Sequence, residues 1–300
     1  MLKVLITGVD GFTGRYLAAE LEQSGYEVIG IVTNSQQAEI AGVKTTYCCN
    51  LCDASNLAKI VESIKPNIVV HLAAISFVAH GDIEEIYRTN VIGTRNLLEA
   101  IEKSNCQLKS ILIASSANVY GNTTADPITE STCVAPANDY AVSKIAMEYV
   151  AKLWFNKLPI NLVRPFNYTG IGQSLNFLLP KIVDHFKQKS LVLELGNLDV
   201  IRDFSDVRSV VRSYQSILES SFTGETFNIC SGQGHSLLDV LQTMRELSGH
   251  NPEIRVNPAF VRANEVHRLV GSCTKLDQAI GTTQKIPLKE TLKWMLESAV

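Results

Sequence analysis

The sequence predicts an α/β protein in which a doubly wound parallel sheet is joined by a smaller, mixed α/β C-terminal cap. Over residues 1–165, short apolar runs alternate with segments of helical spacing, which is typical of βαβ units. Beyond about residue 170 this alternation loosens, although no repeat or low-complexity tract intervenes. We therefore expect a first domain at 1–165, to which segments near 200–230 return, and a cap formed mainly by 166–300.

Composition narrows the classes of function. A chain of 300 residues can form one large domain or a large domain with an appendage. Its 27 basic and 30 acidic side chains give a net charge of -3, so no basic field favours nucleic acid as a partner. An anionic ligand must therefore be held by local hydrogen-bond donors.

Neither a membrane nor a metal is expected as a partner. The chain opens with MLKVLITG, which enters a strand directly, and no apolar run reaches the roughly 18–20 residues that span a bilayer. Cys49 and Cys52 form a CxxC pair, but a structural zinc site needs about four ligands and no second pair follows. We expect seven free thiols and a cytoplasmic location.

The first elements follow from apolar runs and breakers. Leu2–Thr7 is an apolar run that predicts a strand, and Thr13–Ser24 has helical spacing that ends before Gly25. Glu27–Val32 predicts a second strand, and Thr45–Cys49 a weaker third.

Later elements are predicted in the same way. Asn56–Ile64 is a helix that ends before Pro66, and Asn67–Leu72 is a strand apolar enough to be covered on both faces. The further predicted helices are Ile83–Lys103, Tyr140–Asn156, Asn176–Lys187, Ser205–Ser220, Leu237–Ser248 and the tail from Leu288. The further predicted strands are Ser110–Ser115, Ile160–Arg164, Leu191–Glu194 and Thr226–Ile229.

A glycine motif follows the first predicted strand. Gly8, Gly11 and Gly14 form a GxxGxxG between this strand and the first helix. Such glycines permit the tight turn, the approach of a pyrophosphate to the backbone and close packing of helix on strand, while the helix N-terminus attracts negative charge. The motif in this context predicts a dinucleotide site and a Rossmann-type sheet.

The end of the second strand favours NADP(H) over NAD(H). NAD sites carry an Asp or Glu there, which accepts hydrogen bonds from the ribose. This chain has Thr33, Asn34 and Ser35 instead, which could bond a 2′-phosphate, and Arg15 lies nearby in sequence. The alternative is that Arg15 is an ordinary solvated surface residue.

Two further segments predict acid–base chemistry. SSANVYG at 115–121 follows a buried strand, and Tyr140 and Lys144 lie one turn apart at the start of a helix. A lysine beside a phenol lowers the pKa of the phenol towards neutrality, so that it can exchange a proton with a carbonyl or carbinol oxygen. A serine hydroxyl can hold the same oxygen.

These motifs together resemble the extended short-chain dehydrogenase/reductase family, the nucleotide-sugar epimerases, dehydratases and reductases. The resemblance also covers HLAA at 71–74, TNVIGT at 89–94, RPFN at 164–167 and RDFSDV at 202–207. It implies that Ser116 is the catalytic hydroxyl, Tyr140 the acid/base, and Lys144 a residue that also binds the nicotinamide ribose. The cofactor-binding residues that it implies, together with the glycine loop, are Gly8, Gly11, Phe12, Thr13, Gly14, Arg15, Thr33, Asn34, Asn50, Leu51, Leu72, Ala73, Ala74, Asn90, Tyr140, Lys144 and Pro165.

The last third is most similar to the GDP-4-dehydro-6-deoxy-mannose reductases. This resemblance implies a GDP-linked sugar substrate that contacts Ser76, Asn118, Asn167, Lys181, Arg202, Arg262 and Glu265. The guanidinium groups of Arg202 and Arg262 suit a diphosphate. For each arginine the alternative is a surface ion pair, for instance that of Arg202 with Asp203 or Asp206.

The residues after Ser116 separate the reaction classes. The family's 4,6-dehydratases carry an Asp-Glu pair there and its epimerase-reductases a cysteine, whereas this chain has Ala117 and Asn118, which do not titrate. Hydride transfer at C4 remains, and we expect an NADPH-dependent reductase of a 4-keto-6-deoxy sugar, with GDP-4-dehydro-6-deoxy-D-mannose as the favoured substrate. A nucleotide-sugar 4-epimerase with bound NAD is the main alternative, and a non-catalytic NADP-sensing protein is a remote one.

A homodimer is also expected from the resemblance. In relatives, the helices that correspond to Ile83–Lys103 and Tyr140–Asn156 form a four-helix contact between two subunits. The alternative is that the chain's own loops cover these apolar residues. They are Ile86, Val91, Leu97, Leu98, Val150, Leu153, Trp154 and Phe155.

Overall fold

The computed structural model describes residues 1–34, 39–76, 82–260 and 266–298. Its strands are β1 (Lys3–Thr7), β2 (Glu27–Val32), β3 (Thr45–Cys48), β4 (Ile68–His71), β5 (Ser110–Ala114), β6 (Ile160–Pro165), β7 (Asn167–Thr169), β8 (Val192–Leu195), β9 (Ile201–Asp206), β10 (Thr226–Ile229), β11 (Gly234–Ser236), β12 (Glu253–Val256) and β13 (Arg268–Leu269). Its α-helices are α1 (Phe12–Gln23), α2 (Ala54–Ile64), α3 (Ile83–Tyr87), α4 (Thr94–Lys103), α5 (Asp139–Lys152), α6 (Leu178–Lys187), α7 (Val207–Glu219), α8 (Leu237–Ser248), α9 (Thr274–Ile280) and α10 (Leu288–Glu297).

The main sheet has seven strands in the order β10-β6-β5-β4-β1-β2-β3, and all of its neighbours are parallel. This confirms the predicted α/β, Rossmann-type doubly wound sheet. The carboxyl ends of parallel strands share one edge, where ligands of such folds bind. The chain returns to this sheet late, because β10 pairs with β6.

The apolar side chains of β1 enter a hydrophobic core on each face of the main sheet. Val4 and Ile6 belong to the core on one face, and Leu5 between them belongs to the core on the other. Helices α1 and α7 contribute Leu17 and Val210 to the first core, while α2, α4 and α5 pack on the second face. No helix within the described ranges is long and apolar enough to span a membrane.

Residues beyond β6 build two small sheets. One contains β11, β9 and β13 with β7 paired to β9, and the other pairs β12 with β8. Helices α6, α8 and α10 enclose a separate apolar core beside these sheets, which includes Phe186, Met244 and Leu292.

The prediction of a helix at Ser205–Ser220 was wrong at its start. Residues 201–206 form β9, and α7 begins only at Val207, where Asp206 caps it by accepting a bond of 2.8 Å from the Arg208 amide. Asp203, Ser205 and Asp206 are all buried in this strand. A strand whose buried positions are polar lacks the apolar pattern on which the prediction depended.

The predicted helix at Ile83–Lys103 is interrupted. Residues Arg88–Gly93 form a π-helical segment between α3 and α4. Such segments are frequent at functional sites, and this one contains Asn90.

Candidate active site

The glycine loop forms a backbone cradle at the end of β1. Gly8 has φ of +68°, and a Cβ atom there would lie 2.8 Å from the Cα of Ala73. A Cβ atom at Gly14 would lie 2.4 Å from the Gly8 carbonyl oxygen. Because neither position admits a side chain, α1 begins close against the strand ends with its free amides at this edge. The geometry fits a pyrophosphate at the N-terminus of α1.

Residues beyond β6 are hydrogen-bonded directly to α1. Thr13 and the Tyr168 hydroxyl share a hydrogen bond of 2.7 Å, and the rings of Phe12 and Tyr168 stack with centroids 6.1 Å apart. Tyr16 donates a hydrogen bond to the Ile171 carbonyl and lies edge-on to Trp294. The sequence analysis did not identify Tyr168 as a site residue. Its place directly after the RPFN motif is the one sequence feature that could have indicated it.

A buried histidine joins the ends of β1 and β4 to the π-helical segment. Thr94 donates to the Asn90 carbonyl, so it must accept from His71 Nε2, at 2.8 Å. His71 Nδ1 then accepts from the Thr7 hydroxyl, at 2.6 Å. Burial, followed by the charge of Lys144, lowers the pKa of His71 to about 3. The ring is therefore neutral, and its network fixes the strand ends that precede Leu72, Ala73 and Ala74.

Asn90 clamps the loop after β4 to α5. Its side chain accepts from the Ile75 amide at 2.9 Å and donates to the Ile75 carbonyl at 3.2 Å. It also donates to the Ser143 hydroxyl at 2.9 Å, and Ser143 donates to the Tyr140 carbonyl. Asn90 thus positions α5 relative to the predicted cofactor loop.

Ser116 and Tyr140 meet at the end of β5. Ser116 is the N-cap of a 3₁₀ turn at Ala117–Tyr120 and accepts from the Asn118 amide at 3.2 Å. Its hydroxyl lies close enough to Tyr140 to lower the pKa of that phenol. Both side chains are buried, so a carbonyl oxygen bound there would meet two hydroxyl groups in a low-dielectric site.

The pKa of Tyr140 differs in direction from the sequence expectation. Burial raises it to about 12, and the neighbouring Ser116 hydroxyl only partly opposes this. Lys144 does not lower it, because its ammonium group donates to the Ala114 carbonyl at 2.8 Å. Burial also lowers the pKa of Lys144 to about 8. Tyr140 is therefore a neutral phenol at physiological pH, the protonation state that a general acid requires.

A buried ion pair lies behind the two hydroxyl groups. Arg164 on β6 donates to both carboxylate oxygens of Glu148, at 2.8 and 2.7 Å, and also to the Tyr120 hydroxyl at 2.9 Å. Ser115 donates to Glu148 at 2.6 Å. Ser115 thereby links the end of β5 to this ion pair. Sequence reasoning missed Glu148, which lies one helical turn after Lys144 in an otherwise apolar segment.

Four of the residues predicted to bind the cofactor follow β2 and β3. Thr33 and Asn34 come directly after β2 and are exposed. Asn50 follows β3, and Leu51 is buried against Gly93. Arg15 is exposed on the first turn of α1, where its Nε donates to the Asp10 carbonyl at 2.8 Å.

Among the residues predicted to bind the substrate, Arg202 had Asp203 and Asp206 as possible ion-pair partners, but both carboxylates bind other groups. Asp203 accepts from the Ser231 amide and hydroxyl and from the Gly232 amide, whereas Asp206 binds Arg208 at 2.6 Å. Arg202 itself donates to the carbonyls of residues 201 and 267.

The other predicted substrate residues are dispersed. Asn167 lies on β7, where it donates to the Asp203 carbonyl at 3.5 Å; Pro165, which was predicted to bind the cofactor, ends β6. Lys181 donates a hydrogen bond to the Glu194 carbonyl and lies over the Phe260 ring, rather than contacting the strand ends. Ser76 is exposed. Arg262 and Glu265 lie outside the described residues.

In the described ranges, no cluster of three or more His, Cys, Asp or Glu side chains is arranged to hold a metal ion.

Comparison with known proteins points to nucleotide-sugar enzymes. The sequence model of a family described as GDP-mannose 4,6 dehydratase matches residues 5–295. A GDP-6-deoxy-D-talose 4-dehydrogenase from Aggregatibacter actinomycetemcomitans is 34% identical over 280 residues, which cover 93% of this chain and 92% of the relative. A GDP-6-deoxy-D-mannose reductase from Pseudomonas aeruginosa is 30% identical over 305 residues, covering 98% and 96%.

Solved structures agree with this relationship. RMD from Pseudomonas aeruginosa, complexed with NADPH, has a TM-score of 0.86 and 28% identity, covering 99% of this chain and 98% of that chain. A Burkholderia cenocepacia protein described as a candidate epimerase has a TM-score of 0.93 and 45% identity, covering 99% and 97%.

Proposed function

Since the chain belongs to the GDP-mannose 4,6 dehydratase family, we propose that it transfers a hydride at C4 of a GDP-linked 6-deoxyhexose. The favoured reaction is NADPH-dependent reduction of the 4-keto group of GDP-4-dehydro-6-deoxy-D-mannose. The observation that carries this is the buried pair of hydroxyl groups of Ser116 and Tyr140, followed by Ala117 and Asn118. The pair can protonate an oxygen, and the residues after it offer no further acid or base.

Each catalytic residue has one role in this proposal. Tyr140, kept neutral by burial, protonates the alkoxide that develops on the C4 oxygen. Ser116 donates a hydrogen bond to the same oxygen. Lys144 binds the nicotinamide ribose, and Asn90 positions α5 through Ser143. Asn118, at the start of the 3₁₀ turn, faces the sugar.

The residues present fit NADP(H). The cradle at Gly8 and Gly14 admits backbone only, and the N-terminus of α1 suits the pyrophosphate. When bound, the cofactor supplies the hydride. Two relatives are named as a GDP-sugar 4-dehydrogenase and a GDP-sugar reductase, and the solved structure of RMD from Pseudomonas aeruginosa, which shares the fold, is complexed with NADPH.

The direct assay supplies GDP-4-keto-6-deoxy-mannose and NADPH to the purified protein. We expect NADPH consumption matched by one reduced GDP-sugar, with slower turnover of the UDP- and dTDP-linked 4-keto sugars. The two named relatives act on sugars that differ in configuration at C4, so NMR of the product decides between the manno and talo forms. No turnover of any 4-keto sugar would overturn the proposal.

A nucleotide-sugar 4-epimerase is the second candidate, favoured by the similarity to the Burkholderia cenocepacia protein. It needs the same Ser116, Tyr140 and Lys144, but it returns the hydride to the same sugar. A reductase releases oxidised cofactor at each turnover and an epimerase does not, so measuring this release distinguishes the two.

We expect NADPH to bind at least about tenfold more tightly than NADH, because no carboxylate follows β2 to repel a 2′-phosphate. Arg15→Ala should weaken NADPH binding and leave NADH binding unchanged, since only the former carries that phosphate. Fluorescence titration measures both affinities. Arg95→Ala, which removes an exposed arginine on α4, is the matched control. Equal affinities for the two cofactors in the unaltered protein contradict the assignment.

We also propose a twofold homodimer, in which Leu153 is the one exposed side chain among those first expected. Ile86, Leu97, Leu98 and Trp154 are buried in the chain's own core. The exposed apolar side chains are Ile83 and Ile92 before α4, and Val142, Tyr149 and Leu153 along one face of α5.

Leu153→Glu should convert the dimer to monomers, because it places a charge in an apolar contact. Sedimentation velocity at micromolar concentration measures this. Leu191→Glu, at an equally exposed leucine outside this face, should leave the dimer intact. A monomeric unaltered protein rules the dimer out.

We also propose the domain boundaries and the cellular location of the protein. Residues 1–165, with the returning segment near 200–230, form the cofactor-binding domain, and residues 166–300 mainly form the substrate cap. We place the protein in the cytoplasm, since all seven cysteines are free thiols, as is usual in reducing compartments.

A further inference from the structure

Two cysteines and a lysine lie together outside the candidate catalytic set. Cys230 directly follows β10 and is buried, whereas Cys273 precedes α9 and is partly exposed. Cys273 packs against the apolar cluster that contains Cys230, and each thiol shifts the pKa of the other. Lys285 places its Nζ atom 2.6 Å from the Cys273 sulfur. The residues are far apart in sequence, so the fold alone assembles this cluster.

Lys285 favours a thiolate at Cys273, whereas the nearby carboxylates oppose it. Asp277 lies 3.5 Å from the Lys285 ammonium. The Cys230 thiol, and then Lys285, lower the pKa of Cys273, although burial and Asp277 oppose this. The interaction with Cys273, burial and the charge of Asp203 raise the pKa of Cys230. Cys273 is therefore the thiol of the pair that ionises first.

We propose that Cys273 and Cys230 are a reversible redox pair, in which hydroperoxides oxidise Cys273 and Cys230 then closes a disulfide. An accessible thiolate beside a second thiol is the arrangement of redox-sensing cysteines. Cys273 is itself partly exposed, which gives a small oxidant access to the cluster. Lys285 acts as a positioning residue, because it stabilises the thiolate and does not itself react.

The chemistry balances with a hydroperoxide as the oxidant. The Cys273 thiolate attacks one peroxide oxygen and breaks the O–O bond, which gives a sulfenic acid and, after protonation, water from hydrogen peroxide or an alcohol from an organic hydroperoxide. Cys230 then loses its proton and attacks the Cys273 sulfur, so that the S–O bond breaks and water leaves. Two thiols are oxidised to one disulfide, and a small-molecule dithiol reverses the step by exchange.

Treatment of the reduced, full-length chain with hydrogen peroxide, followed by alkylation and peptide mapping, tests the pair. We expect a Cys230–Cys273 disulfide that forms before other thiols are lost and that dithiothreitol reverses. Cys230→Ser should leave a sulfenic acid at Cys273, which dimedone traps. Cys133→Ser, at an exposed cysteine outside the cluster, should change nothing. Faster oxidation of Cys133 or Cys48, or an oxygen-bridged link from Cys273 to Lys285, overturns the proposal.

The role of Lys285 has its own readout. The rate of Cys273 alkylation by iodoacetamide should rise with pH through a midpoint that Lys285→Met shifts upwards and Lys285→Arg restores. An unchanged profile in Lys285→Met removes Lys285 from the proposal. Because these measurements require no substrate, they stand or fall independently of the proposed reaction.

Discussion

Tyr140→Phe should lower kcat for reduction of the 4-keto sugar by about 10²–10⁴-fold, the usual contribution of a general acid. The substitution removes only the hydroxyl group, and the ring stays in its buried position at the start of α5. NADPH affinity should therefore change little. Stopped-flow measurement of NADPH oxidation gives kcat, and titration gives the affinity.

Two companion variants assign the remaining roles. Ser116→Ala should cost about 10²-fold or somewhat more, as for the loss of one hydrogen-bond donor to a developing oxyanion. Lys144→Met should reduce both turnover and NADPH affinity, because Lys144 serves both. Near-native turnover of Tyr140→Phe, with Ser116→Ala inactive, would show that the acid is misassigned.

Glu148→Gln should lower the free energy of unfolding by about 3–5 kcal/mol, because it leaves the Arg164 guanidinium buried without a counter-charge. The Arg164 and Glu148 side chains are only 6% and 0% exposed. The variant also replaces a carboxylate oxygen that accepts from Ser115. Urea unfolding followed by circular dichroism measures the change.

Glu99→Gln is the matched control for this substitution. Glu99 pairs with Arg95 and Lys103 on α4, but its side chain is 36% exposed. Exposed ion pairs contribute about 0–1 kcal/mol, so this variant should remain close to the unaltered protein. Similar losses in the two variants would mean that burial does not set the strength of the Arg164–Glu148 pair.

The sequence predicted the main sheet because the relevant side chains are apolar. Val4, Leu5 and Ile6 alternate between two covered faces, and such runs are read directly from the sequence. Strand β9 was assigned in part to a helix because its buried positions are Asp203, Ser205 and Asp206. Their hydrogen-bond partners come from distant segments, which a local pattern does not reveal.

The candidate site was likewise predictable from the sequence only in part. The glycine loop, Ser116, Tyr140 and Lys144 are local motifs, and the fold places them at one edge of the sheet. The pKa of Tyr140 depends on burial and on where the Lys144 ammonium donates, which are properties of the folded chain. The π-helical segment at Arg88–Gly93 is likewise invisible in a periodic helical pattern.

The most direct test of the proposed reaction follows deuterium from the transferable position of NADPH into the sugar. The protein is incubated with GDP-4-keto-6-deoxy-mannose and NADPH labelled at that position, and the product is examined by NMR and mass spectrometry. The proposal predicts one deuterium per product molecule, located at C4, with an equal amount of NADP⁺ released. A reduced or epimerised sugar that carries no deuterium at C4 would contradict it.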